Sequence, residues 1–159
     1  MPRAPEWNDD FADIVRALIR AEAEFLIVGA HALALHGIPR ATGDLDILVR
    51  PTPENANKVW AALVDFGVPV QAHGVTAADF EVAGNVYQLG LPPRRIDLLT
   101  SITGVGFDEA WEGRETATMH GLDVAFLGRE GLLRNKRATA RPKDLADAEV
   151  LERHSKPWS

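Results

Sequence analysis

Two acidic residues stand two positions apart at the start of a short apolar segment, residues 44–49 (DLDILV). An apolar run of this length predicts a β-strand, and strand side chains alternate between the two faces of a sheet. Asp44 and Asp46 are therefore expected on one face, with their Cα atoms about 6.5–7 Å apart. Like charges on one face of an apolar strand are unfavourable unless a cation compensates them, and paired carboxylates suit Mg²⁺ or Mn²⁺. The opposite, core-facing side carries Leu45, Ile47 and Val49.

A third acid, Asp97, occupies a similar position in residues 95–99 (RIDLL). If this strand lies beside residues 44–49, three carboxylates converge, and three carboxylates can hold two divalent cations. Such a pair of cations activates an attacking oxygen and stabilises a leaving phosphate. Two other interpretations stay open. An Asp at a strand start is often a turn or capping residue, and Asp97 can pair with Arg94 or Arg95 at a sheet edge.

Helical and strand patterns alternate along the chain. Helices are predicted over residues 9–22, 30–36 and 129–138 and from residues 52 and 142, and strands over 25–28, 44–49, 86–91, 95–99, 114–119 and 122–127. The stretch 68–83 is ambiguous. This order predicts an α/β domain with a mixed β-sheet flanked by helices. We expect residues 1–159 to form one domain, with a core over about 25–128 and C-terminal helices over about 129–154.

Charge and composition narrow the classes of function. The chain has 159 residues, no cysteine and a formal net charge of -6, so a disulfide framework and a thiolate zinc site are excluded. The absence of cysteine fits a cytoplasmic protein. No apolar run approaches the ~20 residues of a membrane span, and the N-terminus lacks the apolar core of a signal peptide. Net acidity disfavours general nucleic-acid binding. Positive charge is nevertheless concentrated in residues 129–143, which contain Arg129, Arg134, Lys136, Arg137, Arg141 and Lys143. A basic patch in an acidic protein indicates a confined anionic ligand.

A glycine turn joins the predicted strand 25–28 to the helix after it. The first amides of a helix have no internal partners, so Gly29 and Ala30 begin a candidate phosphate site. His31 and His36 are five residues apart, which does not match the spacing of four of a helical metal pair. We interpret them as separate residues, one facing a nucleotide and one packed.

Two sequence runs resemble the minimal nucleotidyltransferases, whose core is of the DNA polymerase-β type. The first runs from an apolar strand through the glycine turn and a short helix to Asp-x-Asp, residues 26–37 (LIVGAHALALHG) and 40–46 (RATGDLD), with RIDL at 95–98 supplying a third Asp. The second, residues 135–147 (NKRATARPKDLAD), resembles the tail of the abortive-infection and toxin–antitoxin branch. The resemblance extends from about residue 25 to residue 151.

The resemblance implies transfer of a nucleoside monophosphate from an NTP to an acceptor hydroxyl by two-metal catalysis with Mg²⁺ or Mn²⁺. It assigns Asp44, Asp46 and Asp97 to the metals, with Asp97 also helping to activate the acceptor. It assigns the NTP to backbone amides, to the loop before Asp44 and to the late basic residues, that is, to Gly29, Ala30, Arg40, Thr42, Lys136, Arg141 and Lys143. Ala30 departs from the Gly or Ser that the family usually has, which keeps the amide and removes a hydroxyl.

Three functions are compatible with these residues. The first is the enzyme, with an acceptor that is a small molecule such as an antibiotic, a partner protein or tRNA. The second is a catalytically weakened binding module or antitoxin that acts through a partner protein, which Ala30 favours and the three acids oppose. The third is a metal-dependent phosphohydrolase, for which no nucleophile or His cluster is found. The sequence leaves open a toxin–antitoxin partner and a homodimer.

Overall fold

A mixed six-stranded sheet is the centre of the computed structural model of the chain, which describes residues 7–38 and 43–153. The strands are β1 (Phe25–Val28), β2 (Leu45–Val49), β3 (Val86–Leu89), β4 (Ile96–Leu99), β5 (Glu115–Met119) and β6 (Leu122–Phe126). Their order across the sheet is β3-β4-β2-β1-β6-β5. Strand β1 is antiparallel to β2 and parallel to β6, and β2 is parallel to β4. The two outer pairs, β3 with β4 and β5 with β6, are antiparallel.

Helices flank this sheet, which confirms the predicted α/β class. Within the described residues they are α1 (Asp9–Arg20), α2 (Gly29–Leu35), α3 (Pro53–Phe66), α4 (Phe107–Glu112), α5 (Arg129–Thr139) and α6 (Pro142–Arg153). Helix α4 was not predicted, and the ambiguous stretch 68–83 contains a 3₁₀ turn, Ala77–Phe80. The strand predicted over residues 86–91 ends at Leu89, before the cis peptide bond between Pro92 and Pro93. No helix in the described part of the chain is long and apolar enough to cross a bilayer.

Helix α3 begins where the sequence predicts it, and local signals mark both of its ends. The Thr52 side chain accepts a hydrogen bond from the backbone N–H of Asn55 at 3.3 Å, and Pro53 fills the first helical position. The helix ends at Gly67, whose φ of 98° is left-handed. Helix α1 begins in the same way, because the side chain of Asn8 accepts from the backbone N–H of Phe11 at 3.0 Å.

The core is built around strands that are buried on both faces. All four residues of β1 are buried, and four of the five residues of β2 are buried, with Asp46 the exception. One continuous cluster of buried apolar residues extends from Trp7 before α1 to Leu151 in α6. The acid within β2 therefore interrupts an otherwise apolar strand, as the sequence predicted.

Asn55 is a buried polar residue that ties α3 to the ends of two strands. Its Oδ1 accepts from the backbone N–H of Glu24 at 2.7 Å, just before β1. Its Nδ2 donates to the carbonyls of Glu24 at 3.0 Å and Arg50 at 3.1 Å, the latter just after β2. Because the side chain is only 3% exposed, water cannot replace these three partners.

We predict that Asn55→Ala lowers the free energy of unfolding by roughly 1–3 kcal/mol, because it removes the acceptor of the Glu24 N–H and one donor each from the carbonyls of Glu24 and Arg50. Urea unfolding followed by circular dichroism measures this change. Asn57→Ala, an exposed position in the same helix, is the matched control and is expected to change the stability by less than about 0.5 kcal/mol. Equal effects of the two substitutions would contradict the structural role of Asn55.

Candidate active site

The three predicted carboxylates lie together on neighbouring strands. The parallel register of β2 and β4 places Asp46 directly beside Asp97, and paired residues on adjacent strands share a face of the sheet. Asp44 precedes Asp46 by two residues, and its Oδ1 accepts a hydrogen bond from the backbone N–H of Arg95 at 3.2 Å. Asp97 is buried, whereas Asp44 and Asp46 are half-buried. The convergence expected from the sequence is therefore present in the structure.

Arg95 forms ion pairs with two of these three acids. Its Nε lies 2.9 Å from Oδ1 of Asp97, and its Nη2 lies 3.3 Å from Oδ2 of the same carboxylate. The same Nη2 lies 3.3 Å from Oδ2 of Asp44. The sequence left open whether Asp97 pairs with an arginine or joins a carboxylate cluster. In the structure Asp97 both pairs with Arg95 and lies beside another carboxylate, that of Asp46.

Asp46 packs against the turn between β1 and α2. Val28, the last residue of β1, is opposite Asp46 in the antiparallel register, so Gly29 follows directly beside the carboxylate. Gly29 has a left-handed φ of 67°, and a Cβ atom there would collide with Oδ2 of Asp46. Only glycine allows the backbone to approach the carboxylate this closely.

Burial and neighbouring charge change the proton affinity of Asp46. Burial, together with the nearby charges of Asp97 and then Asp44, raises the pKa of Asp46 from the usual 3.8 to about 7, whereas Arg95 acts against this rise. The single positive charge of Arg95 therefore does not neutralise the group of three carboxylates. A proton or an added cation is required to relieve the remaining repulsion.

The three carboxylates have the chemistry of a divalent-cation site but not yet its geometry. No three acidic or histidine side chains within residues 7–38 and 43–153 are assembled around a common metal position. The donors themselves fit, because carboxylate oxygens are the ligands that Mg²⁺ and Mn²⁺ prefer. Their surroundings also fit, since the raised pKa of Asp46 reflects burial first and repulsion by Asp97 and Asp44 second, and a cation would offset both. The carboxylates are therefore suitable metal ligands, and Arg95 engages the oxygens of two of them, Asp44 and Asp97.

A cleft of about 480 Å³ opens beside Asp46. The β1–α2 turn forms one wall, and α5 and α6 form the other. The lining residues are Val28, Gly29, Ala30, Leu33, Asp46, Leu99, Ile102, Asn135, Lys136, Arg141, Lys143 and Asp147. Five of the seven predicted nucleotide-binding residues are thus brought to one cavity. The other two, Arg40 and Thr42, lie outside the described residues.

Two buried acids hold Lys136 at this cleft. Its Nζ lies 3.2 Å from Oδ1 of Asp144 and 3.3 Å from Oδ2 of Asp147, and its side chain is 12% exposed. Arg141 binds the same Asp144, with its Nε 2.6 Å from Oδ2. The hydrogen bonds from Arg141 hold the pKa of Asp144 well below its usual range, with Lys136 acting in the same direction. The sequence analysis did not predict the contacts of Lys136 with Asp144 and Asp147.

Neither histidine of α2 and its C-cap faces the cleft, so the expectation that one faces a nucleotide was wrong. His31 is 3% exposed, and its Nδ1 accepts a hydrogen bond from Nε1 of Trp7 at 3.2 Å. Burial lowers the pKa of His31, and the backbone carbonyl and charge of Asp44 oppose that shift. His36 is 1% exposed, with Nε2 3.0 Å from the carbonyl oxygen of Leu127. Both are packing residues.

Comparison with known proteins identifies the fold. No family profile matches the chain, and no curated protein matches it in sequence. Solved structures do match. A Thermotoga maritima protein described as a nucleotidyltransferase is 13% identical, with a TM-score of 0.54 over 92% of this chain and 93% of that one. A lincosamide antibiotic adenylyltransferase with lincomycin bound is 11% identical, with a TM-score of 0.50 over 93% of this chain and 98% of that one. The chain therefore has the nucleotidyltransferase fold.

We predict that the stability of the metal-free protein depends on pH through Asp46. Between pH 4 and pH 7 the folded protein keeps a proton on this group that the unfolded chain has lost, so stability falls as the pH rises through this window. Above about pH 7 the destabilisation is complete. Asp46→Asn removes the titrating group while keeping its shape. In urea unfolding with chelator present, the free energy of unfolding of the variant relative to that of the wild type is expected to increase from pH 5 to pH 8. Parallel pH profiles would contradict the prediction.

We also predict that Gly29→Ala destabilises the protein beyond the strain of a left-handed alanine. Gly74→Ala is the matched control, because Gly74 has a φ of 71° and a Cβ atom there would meet nothing within 4 Å. The control is expected to cost about 1–2 kcal/mol from backbone strain alone. Gly29→Ala adds the collision with Asp46, so its loss of stability in urea should be larger. Equal losses would show that the turn and the carboxylate are not tightly packed.

Proposed function

We propose that the protein is a nucleotidyltransferase that moves a nucleoside monophosphate from an NTP to an acceptor hydroxyl. One observation carries the proposal: a row of carboxylates on β2 and β4 adjoins a cleft whose far wall carries Lys136, Arg141 and Lys143. Such a cleft suits a ligand that is anionic along its length and needs a cation at one end, as a metal-bound triphosphate does. The nucleotidyltransferase fold agrees with this choice.

The basic residues have different parts in holding the triphosphate. Lys136 is the most firmly placed, since two buried acids fix its position and leave its amine at the cleft. Lys143 is exposed and makes no ion pair with any described residue, so its charge is available to a ligand. Gly29 and Ala30 offer backbone N–H groups, for which the alanine side chain is no obstacle. Arg40 and Thr42 are assigned to the loop side of the nucleotide by the resemblance.

The reaction is a displacement at the α-phosphorus. The acceptor oxygen forms a bond to phosphorus, the bond to the bridging oxygen breaks, and pyrophosphate leaves with the electron pair. Asp44, Asp46 and Asp97 hold two Mg²⁺ or Mn²⁺ ions, which supply charge neutralisation and activation of the attacking oxygen when bound. Asp97 also accepts the proton of the acceptor hydroxyl. Lys136 stabilises the negative charge that the pyrophosphate carries away.

We further propose that the chain is a single domain, residues 1–159, of the abortive-infection and toxin–antitoxin branch. The observation in favour is the Lys136, Arg141 and Asp144 network, which is built from the tail that resembles that branch. One structural neighbour is an adenylyltransferase of a lincosamide antibiotic. ATP is therefore the first nucleotide to test and a small molecule the first acceptor class. A partner protein and tRNA are the other acceptor classes. We propose the cytoplasm as the location of the reaction.

The prediction that tests this function is Mg²⁺-dependent transfer of label from NTPs. The wild type is incubated with each of four α-³²P-labelled NTPs and a cell extract, and the RNA, protein and small-molecule fractions are separated. Asp44→Asn and Asp97→Asn are expected to lose at least about 100-fold of the transfer, because each removes charge from the metal-binding group. Asp123→Asn, an exposed acid on β6, is the control and should keep full transfer.

A second candidate is a binding module that keeps the fold and performs no transfer. Ala30 favours it, because a hydroxyl usual at this position is missing. The ion pairs of Arg95 favour it too, because they give two of the acids a role without a metal. NTP binding by calorimetry, with no label in any fraction for the wild type and for Ala30→Ser, would establish this second function in place of the first.

A further inference from the structure

Arg95 occupies the carboxylate oxygens that the proposed reaction needs for its metal ions. Both oxygens of Asp97 lie within 3.3 Å of the guanidinium. Both oxygens of Asp44 also contact Arg95, one through the backbone N–H at 3.2 Å and one through Nη2 at 3.3 Å. A planar guanidinium fork matches a carboxylate in this way better than any other side-chain cation does.

We propose that Arg95 is an internal counter-cation that competes with the divalent metal for Asp44 and Asp97, so that metal binding releases its guanidinium. The inference rests on the proposed function, because it takes these two acids to be metal ligands. It also accounts for the absence of an assembled metal cluster among the described residues, although the three acids are adjacent.

Electrostatics makes the guanidinium and the metal alternatives. Both are attracted to the same two carboxylates, and at the distances of a shared site they repel each other strongly in a partly buried environment. Asp46 makes no ion pair with any residue that the structure describes. It is therefore the acid through which a metal can first bind, and a second ligand becomes available only when Arg95 moves.

The way Arg95 is anchored permits this movement. Its backbone is fixed on both sides, since its carbonyl accepts from the N–H of Leu45 at 2.9 Å and its N–H donates to Asp44. Its side chain is 29% exposed, so the guanidinium can swing toward solvent without disturbing the strand pairing. The backbone contact with Asp44 does not depend on the side chain, and it continues to orient that carboxylate for the metal.

A purely structural role for Arg95 predicts the opposite result. If the guanidinium serves only to hold the carboxylates in position, its removal disorders the metal ligands and weakens metal binding. If it competes with the metal, its removal strengthens metal binding while the metal-free protein becomes less stable, because repulsion among the acids is then uncompensated. The sign of the change in metal affinity therefore separates the two roles.

The test is Mn²⁺ binding to the nucleotide-free protein, followed by the electron paramagnetic resonance signal of free Mn²⁺ at one pH and ionic strength. Arg95→Gln is expected to lower the Kd for Mn²⁺ about tenfold. Arg95→Lys keeps the charge without the guanidinium fork, so its Kd is expected to lie between those of Arg95→Gln and the wild type. Arg94→Gln is the matched control, because it makes the same change of charge at the exposed neighbouring position and should change the Kd less than about twofold.

A second measurement shows that any change in affinity is not a loss of folding. Thermal unfolding in chelator should give a lower Tm for Arg95→Gln than for the wild type, and saturating Mn²⁺ should raise the Tm of the variant by more. An unchanged or higher Kd for a folded Arg95→Gln protein would overturn the competition and leave the proposed function standing. If no variant, the wild type included, binds Mn²⁺ without nucleotide, the competition is overturned, and the label-transfer assay decides the proposed function separately.

Discussion

The parallel pairing of β2 with β4 is the interaction on which the site depends. It aligns Asp46 with Asp97, and it brings Arg95 beside Asp44 at the end of the same two strands. A shift of this register by one residue would turn one set of acids to the opposite face of the sheet. The apolar residues next to these acids along the two strands, Leu45, Ile47 and Leu98, are fully buried and oppose such a shift. The same residues that form the core therefore fix the position of the charges.

Charge compensation contributes to the packing of α5 against α6. Helix α5 presents only two fully buried apolar side chains, Leu132 and Leu133, so apolar contact alone gives it a small contact surface. The contacts of Lys136 with the buried acids of α6 add a second attachment between the two helices. Buried ion pairs contribute little net stability, because desolvation offsets most of the attraction. Their effect here is to fix one amine beside the cleft, which an apolar contact cannot do.

The sequence predicted the acids better than it predicted their partners. Alternation along a strand requires only local information, so the common face of Asp44 and Asp46 followed from residues 44–49 alone. The position of Asp97 required the strand order, which the pattern of apolar residues does not contain and the resemblance supplied. Helix α4 was missed because six residues between glycines show no helical period. The contacts of Lys136 join residues eight and eleven positions apart across a turn, beyond the reach of helical spacing rules.

The two open interpretations of Asp97, an arginine pair and a carboxylate cluster, are compatible with each other. A carboxylate group that is built to hold divalent metal is unstable without a cation, since repulsion and burial both oppose ionisation. A protein with this group can protonate an acid, bind the metal permanently or provide a cation of its own. The raised pKa of Asp46 and the ion pairs of Arg95 show the first and third solutions side by side. Ion pairs with an arginine are therefore compatible with a metal site as well as with a metal-free role of the acids, because the carboxylate charge that retains the guanidinium would also attract a metal.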